Sequence, residues 1–335
     1  MSTAELQIQI FQHLKTKLPQ DKSVVDELAT ILDVSTDSAY RRIRGEKLLT
    51  IDELHKLAIH FQLSVDQLFG IQSDGFLFAG KFLSHLNFQF DAYLASILFQ
   101  MKYINTFKEK KIYWLCKDIP PLYHFHSREI AAYKHYVWMK GIVDAPEFAR
   151  KKFSLKDYPD EFFESGRKSM ELYSKINSVE IWNFESINST IRQIDFYHDM
   201  NAFEDENEVI LIYEALENLM LHLDRQAALG YKFIAEDGEK VAGGTYEMYL
   251  NEIIIGDNSI LAVLDGTKAG FIIHTVMNIM MTRDIRFCQN LYESMQNVMR
   301  KSTLISSVSE RERSRFFKHF HNRIKIKKEK IKASL

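Results

Sequence analysis

The segment from Ser35 to Gly45 constrains the fold most strongly, because it has room for one short helix with almost no apolar surface. Ser35 is favourable at a helix start, since its hydroxyl can accept a hydrogen bond from the first turn. Gly45 is suited to follow the end, because glycine enters the left-handed region without steric cost. Only Ala39 and Ile43 are suited to burial between these limits. The other large side chains are expected on the outside: Tyr40, Arg41, Arg42 and Arg44.

The flanking segments carry further helix signals. Ser23 precedes one apolar run, and Thr50 with Glu53 has the spacing of a capping box, in which each side chain bonds the backbone N–H of the other residue. Ser64 and Gln67 repeat this spacing. The apolar residues after the first box recur at the helical period: Leu54, Leu57, Ala58 and Phe61.

Another helix is predicted from Ala4 to Leu18, where Pro19 would end it. Together with the segments above, it makes an N-terminal five-helix domain over residues 1–70. A hinge is expected at 71–80, because this stretch combines glycine with short polar residues. The apolar stripe of the first helix is expected to consist of Leu6, Ile10, Leu14 and Leu18.

A short helix with a small apolar face and many guanidinium and hydroxyl groups suits the major groove of DNA. Arginine can bond guanine O6 and N7 together, and hydroxyl groups can bond phosphates or base edges. Because adjacent helical residues point about 100° apart, Arg41 and Arg42 are expected to divide base reading and phosphate binding between them. We predict these DNA-binding residues: Thr36, Asp37, Ser38, Tyr40, Arg41, Arg42, Arg44 and Lys47.

Several short motifs support this interpretation by their spacing over residues 23–69. They are Leu28-Ala29, Val34-Ser35, Gly45, the set Leu54, Leu57 and Ala58, and the set Val65, Asp66 and Leu68. In these motifs the segment resembles the phage-repressor-like (Cro/XRE-type) helix-turn-helix family of DNA-binding domains. The resemblance implies that the helix after Ser35 enters the major groove of double-stranded DNA.

The segment departs from the family pattern at three positions. Asp33 stands at the turn where the family usually has glycine, and aspartate tolerates the left-handed conformation better than most residues. Val25 stands where the family often has a glutamine that bonds phosphate. Arg42 stands where the family usually buries an aliphatic residue, and Ile43 takes the next place. The choice of base reader therefore stays open among Tyr40, Arg41 and Arg42.

Net charge argues against a protein that coats nucleic acid. The 335-residue chain has a formal charge of −2, and residues 1–70 contain eight basic and ten acidic side chains. DNA binding would thus depend on local clustering between Arg41 and Lys47. Because one such domain is expected to bind weakly, we predict a homodimer whose recognition helices lie about 34 Å apart, or a multiple of it.

The rest of the chain, residues 81–335, is predicted to be a larger α+β domain that makes the whole protein mainly α. A small antiparallel sheet is expected from Tyr246–Ile255 and Ser259–Leu264, with Phe271–Met281 left open between strand and helix. Ile112–Cys116 is a candidate buried strand. The predicted helices are 87–107, 127–141, 161–176, 181–199, 207–229, 284–301 and 309–332.

Two of these helices allow two interpretations. The helix at 87–107 is either a core helix or a dimerising linker. The segment 311–332 contains ten basic and two acidic residues, and is either a solvated helix end or an arm that binds phosphates.

The sequence contains no recognisable catalytic motif. Cys116 and Cys288 are too far apart for a CxxC site, and no phosphate-binding glycine loop is present. His124 and His126 are interpreted as ordinary polar residues rather than metal ligands. We therefore expect no enzyme, no cofactor and no metal. The absence of a long apolar run and of a signal-peptide pattern predicts a cytoplasmic protein without a membrane partner.

The larger domain is expected to serve effector sensing or dimerisation. Its many aromatic residues would line an apolar pocket for a small-molecule effector, or would simply fill a core. They include Trp114, Tyr123, Trp138 and Trp182. The predicted function is a sequence-specific transcription regulator. The alternatives are a helical module that binds another protein, and an enzyme of unrecognised fold.

Overall fold

The computed structural model of the chain describes residues 2–17, 23–61, 63, 65, 69, 75–80, 88–235, 238–253, 256, 258–275 and 277–333. The chain divides into two compact units, Met1–Phe76 and Leu77–Leu335. In the described ranges, no helix is both long enough and apolar enough to cross a membrane.

All the regular secondary structure in the described part of the first unit is helical. Its helices are α1 (Thr3–Lys17), α2 (Val24–Leu32), α3 (Thr36–Ile43) and α4 (Ile51–His60). They enclose a small core made of Ile10, Phe11, Leu14, Leu28, Leu32, Ala39 and Leu57. The predicted fifth helix, from its capping box at Ser64 and Gln67, falls mostly outside the described residues. So do the predicted end of α1 at Leu18 and residues 71–74 of the predicted hinge.

Local signals define the ends of these helices. Ser23 and Ser35 cap α2 and α3 by accepting backbone N–H groups from the first turn. Thr50 and Glu53 form the complete capping box of α4. Asp33, between α2 and α3, is left-handed with φ of 53°, so the turn expected from the sequence is confirmed.

The second unit is built on a seven-stranded mixed sheet with the order β6-β5-β4-β1-β2-β3-β7. Its strands are β1 (Lys110–Cys116), β2 (Asn177–Trp182), β3 (Tyr246–Leu250), β4 (Ser259–Leu264), β5 (Thr267–Thr275), β6 (Asn278–Thr282) and β7 (Thr303–Leu304). β1, β2 and β3 are parallel, while β4, β5 and β6 form an antiparallel meander beside β1. β7 pairs antiparallel with β3.

The prediction of a small antiparallel sheet is wrong. The last two residues of β2, Ile181 and Trp182, lie in a segment for which the sequence predicts a helix. β3 pairs parallel with β2 rather than antiparallel with β4. Parallel strands require long crossover connections, so turn spacing, which reveals hairpins, does not reveal them. Five of the six residues of β2 are buried, and such a strand shows no alternation of polar and apolar residues.

A helix is present at each of the seven predicted positions of this unit, although the one predicted from residue 181 begins at Asn188. These helices are α5 (Phe90–Asn105), α6 (Arg128–Gly141), α7 (Glu164–Ser174), α8 (Asn188–Asp199), α9 (Asn207–Leu229), α10 (Ile285–Arg300) and α11 (Glu310–Lys332). Gly230 ends α9 with φ of 76°, as its position after Leu229 predicts. The segment Phe271–Met281, left open above, contributes to β5 and β6.

The two faces of the sheet are covered unequally. One face lies against the large core, to which α5, α6, α9 and α11 all contribute buried residues. The other face carries a smaller cluster closed by α10, with Cys288 and Met295 against Tyr113, Val179, Ile181 and Leu261. Near this face, Ala79 exchanges backbone hydrogen bonds of 2.7 and 2.8 Å with Met281 of β6.

Packing in the structure bears on the two helices that allow two interpretations. α5 buries Phe90, Leu94 and Ile104 in the large core, so it is a core helix. α11 buries Phe316, Phe320 and neighbouring apolar residues, and it packs against α9. Several of its basic groups contact acidic partners: Arg313 with Asp224, Lys327 with Asp195, and Lys328 with Glu217. The basic segment is therefore a packed, partly neutralised helix instead of an extended arm.

Candidate nucleic-acid interface

Helix α3 has one buried and one exposed face. Ala39 is fully buried and Ile43 packs against the core, as expected. The exposed residues recur one turn apart, so they form one continuous strip along the helix. This strip consists of Thr36, Asp37, Tyr40, Arg41 and Arg44.

Arg42 lies on the buried face, so the expectation that it points outward is wrong. Its side chain is only 3% exposed. Its guanidinium donates two hydrogen bonds to the Glu53 carboxylate, one of them from Nε at 3.1 Å. It also donates to the hydroxyl of Ser38 at 2.6 Å and to the carbonyl of Ser38 at 3.1 Å. The aliphatic stem can occupy a core position because the charged end meets a carboxylate from α4.

The Arg42–Glu53 pair joins α3 to α4. Glu53 also accepts the backbone N–H of Thr50 at 3.0 Å, so one carboxylate caps α4 and holds α3. The hydrogen bond from Arg42 lowers the pKa of Glu53, although burial of the carboxyl group opposes this shift. Ser38 is half-buried and its hydroxyl is bonded to Arg42, which leaves it poorly placed to contact DNA.

The exposed basic groups gather at the end of α3. Arg41, Arg44 and Lys47 are exposed, and Glu46 lies among them. Glu46 contacts Arg44 at 3.1 Å and Arg41 at 3.8 Å. Exposed ion pairs of this kind contribute little and are screened by salt. Both arginines are therefore able to exchange this carboxylate for a phosphate.

Sequence reasoning missed Gln7 of α1. The buried stripe of this helix is Gln7, Ile10, Phe11 and Leu14, which is rotated from the predicted stripe that contained Leu6. The sequence contains a signal for this stripe, because Gln7 has the helical spacing i, i+3, i+4 and i+7 with Ile10, Phe11 and Leu14. Such a residue must satisfy its hydrogen bonds inside the protein.

Among the described residues, the aromatic side chains considered for an effector pocket fill the core of the second unit. Trp114, Tyr123, Trp138 and Trp182 are buried in the large core. A cavity of about 20 Å³ lies beside Tyr123, where a water molecule fits but a metabolite does not. Among the described residues, no group of three or more His, Cys, Asp or Glu side chains is arranged to hold a metal ion.

The first unit has the geometry of a helix-turn-helix, with α2 and α3 joined at Asp33 and the outer face of α3 exposed. Residues 9–78 match the family model of the BetR domain, which belongs to the helix-turn-helix type of DNA-binding domains. The match covers about a fifth of the chain and almost none of the second unit. No curated protein and no solved structure matches the chain.

Proposed function

We propose that this protein is a sequence-specific DNA-binding regulator of transcription and that α3 is its recognition helix. The observation that carries the proposal is the exposed strip of α3, from Thr36 to Arg44, on a helix whose other face is held by a buried ion pair. The match of residues 9–78 to a DNA-binding domain family supports it. A protein that reads bases in the major groove needs a rigid helix with an exposed polar face.

The exposed residues divide into two roles. Tyr40 and Arg41, in the middle of the strip, are proposed to contact base edges, with Arg41 on guanine. Arg44 and Lys47, at the end of the helix and just beyond it, are proposed to contact phosphates. Thr36 and Asp37 would lie near the first base or the DNA backbone. Arg42 has no direct contact in this scheme, because it is buried.

Selection of binding sites from random duplex DNA, followed by salt titrations of single variants, tests this proposal. Arg41→Ala should cost about 1–3 kcal/mol on the selected site and relax preference at one position. Lys47→Ala should weaken binding to every sequence alike and lower the slope of log affinity against log salt by about 0.9. Lys56→Ala, on the exposed surface of α4, is the matched control and should change neither quantity.

If neither Arg41→Ala nor Lys47→Ala alters DNA affinity, α3 is not the recognition helix. The exposed strip would then belong to a module that binds another protein, and its partner affinity would lack the steep salt dependence of DNA binding.

We further propose that the second unit serves homodimerisation, and that the chain has no enzymatic activity. One DNA-binding head without net positive charge is expected to need a second copy for useful affinity. Sedimentation at micromolar concentration, with and without DNA, is the test, and a strict monomer in both cases would contradict dimerisation.

A further inference from the structure

Gln7 makes three hydrogen bonds from a single buried amide. The residue is 4% exposed. Its Nε2 donates to the carbonyl oxygens of Arg42 at 2.6 Å and Lys47 at 2.8 Å. Its Oε1 accepts the backbone N–H of Leu49 at 2.7 Å. One side chain of α1 therefore binds both the last turn of α3 and the segment that follows it.

This segment turns sharply at the end of α3. Gly45 has φ of +76°, and its N–H donates to the carbonyl of Arg42 at 3.0 Å. The N–H of Glu46 donates to the carbonyl of Arg41 at 2.9 Å. These bonds satisfy carbonyl groups that a helix end leaves without partners inside the helix. The Gln7 amide adds a second attachment from behind the turn.

Helix α1 lies directly against the inner side of the turn. A Cβ atom placed on Gly45 would lie 3.3 Å from both the Cβ and the carbonyl oxygen of Ala4. The outer side of the same turn carries the exposed side chains of Arg44 and Lys47. The turn therefore has a fixed inner surface and a charged outer surface.

We propose that Gln7 is a positioning residue for the DNA interface: it holds residues 44–49 in the conformation in which Arg44 and Lys47 meet DNA phosphates. The inference rests on the proposed function and deepens it, because it makes the phosphate contacts of Arg44 and Lys47 depend on a residue that does not touch DNA. A loop that is ordered before binding loses less conformational entropy when it binds. Removing the amide should therefore weaken the phosphate contacts while base reading by Arg41 remains.

The test replaces the amide with an apolar side chain of similar size. Gln7→Leu removes all three hydrogen bonds, and Gln9→Leu, on the exposed side of the same helix, is the matched control. We expect Gln7→Leu to lower the slope of log affinity against log salt by about one to two units, since each phosphate contact contributes about 0.9. The ratio of affinities for selected and scrambled DNA should stay within about twofold of the wild type. Gln9→Leu should leave both quantities unchanged.

A second variant keeps the test decisive if Gln7→Leu does not fold. Gln7→Glu retains the shape and the acceptor for Leu49, but an ionised carboxylate donates to neither carbonyl group. Burial at this position should raise the pKa of the introduced carboxyl group. Protonation restores one donor, so the affinity of Gln7→Glu relative to the wild type should rise as pH falls from 8 to 6. Circular dichroism verifies that each variant is folded under the binding conditions.

The outcomes separate this inference from the proposed function. A wild-type protein that binds no selected duplex at low salt contradicts the proposed function itself. A wild type that binds DNA, together with folded Gln7 variants that keep its salt slope and its pH profile, overturns the positioning role alone. A lower slope for Gln7→Leu or a pH-dependent recovery for Gln7→Glu supports it.

Discussion

The two units of this protein bury charge in different ways. In the first unit, Arg42 meets an opposite charge, Glu53, which is eleven residues away in the sequence. In the second unit, Glu180 is completely buried on β2 and is surrounded by neutral donors. Its carboxylate accepts hydrogen bonds from Tyr123 (2.7 Å), Tyr173 (2.7 Å), Trp182 (2.9 Å) and Tyr246 (3.0 Å).

The difference lies in how far apart the joined segments are. The Arg42–Glu53 pair connects neighbouring helices and orients α3, the proposed recognition helix. The Glu180 network connects β2, β3, α7 and the short 3₁₀ helix at Pro121–His126. Burial and the nearby carboxylate raise the pKa of all three tyrosine hydroxyls, so they remain donors. In the first unit the buried charge joins two neighbouring helices. In the second unit the buried carboxylate joins segments that are far apart in the sequence.

Buried lysines extend this contrast within the second unit. Lys134 donates to the hydroxyl of Thr190 at 2.7 Å and to the amide oxygen of Gln193 at 2.8 Å. Lys232 donates to the carbonyl of Tyr173 at 2.9 Å and lies 3.5 Å from the centre of the Tyr173 ring. Burial lowers the pKa of Lys232 to about 7, although Glu180 opposes this shift. Replacing these buried groups, and a buried histidine of the second unit, tests how each unit tolerates the loss of an ionisable side chain.

The largest effect is expected for Glu180→Leu. It leaves four buried donors without their acceptor, and each unsatisfied donor costs about 1–3 kcal/mol, so the loss should be about 4 kcal/mol or more. Glu180→Gln keeps one acceptor oxygen and should lose less. All three tryptophans lie in the second unit, so urea unfolding followed by tryptophan fluorescence reports on it. Equal stability of Glu180→Leu and the wild type would contradict the proposed role of the network.

The next effect is expected for Arg42→Met in the first unit. It leaves a partly buried Glu53 without its counter-charge, which should cost about 3–5 kcal/mol. Adding Glu53→Gln should recover much of this loss, because the amide is neutral and still caps α4. Hydrogen exchange of peptides from α3 and α4 measures the local free energy, since this unit has no tryptophan. A double variant that is no more stable than Arg42→Met would show that the buried charge is not the cause.

Lys232→Met should change the pH dependence of stability rather than its value at one pH. The lysine binds a proton below about 7 when folded and below its ordinary value of 10.5 when unfolded. Between these values the unfolded state holds one more proton, so stability rises with pH by about 1.4 kcal/mol per unit. The difference between wild type and Lys232→Met should show this rise from pH 7 to 9.5. Lys134→Met is the comparison variant at a second buried lysine.

The smallest effect is expected at His135, whose ring lies among aromatic residues. Burial lowers its pKa from 6.5 to about 4, and the charge of Lys151 contributes. Between these values the unfolded state holds one more proton, so stability falls as pH drops from 6.5 to 4, by at most about 3 kcal/mol. His135→Phe should weaken this fall in urea titrations at pH 7, 5.5 and 4.5. If His135→Phe loses as much stability between pH 7 and 4.5 as the wild type, other groups cause the loss of stability in acid.

The sequence by itself determined the local features of the first unit. Ser23, Ser35 and the Thr50–Glu53 pair predicted where helices begin, and Asp33 predicted the turn between them. These signals act within one or two helical turns, so neighbouring residues suffice to specify them. The exposure of Tyr40 and Arg41 followed from the same pattern.

Which polar residues are buried, and how the strands pair, depends on contacts that form between distant parts of the chain. Arg42 is buried because Glu53 of another helix receives its charge, and Gln7 is buried because its amide meets the end of α3. The parallel pairing of β2 with β1 and β3 joins segments more than sixty residues apart. Partners that meet only after folding leave no periodic pattern in the chain, because their spacing in sequence is unrelated to their distance in space.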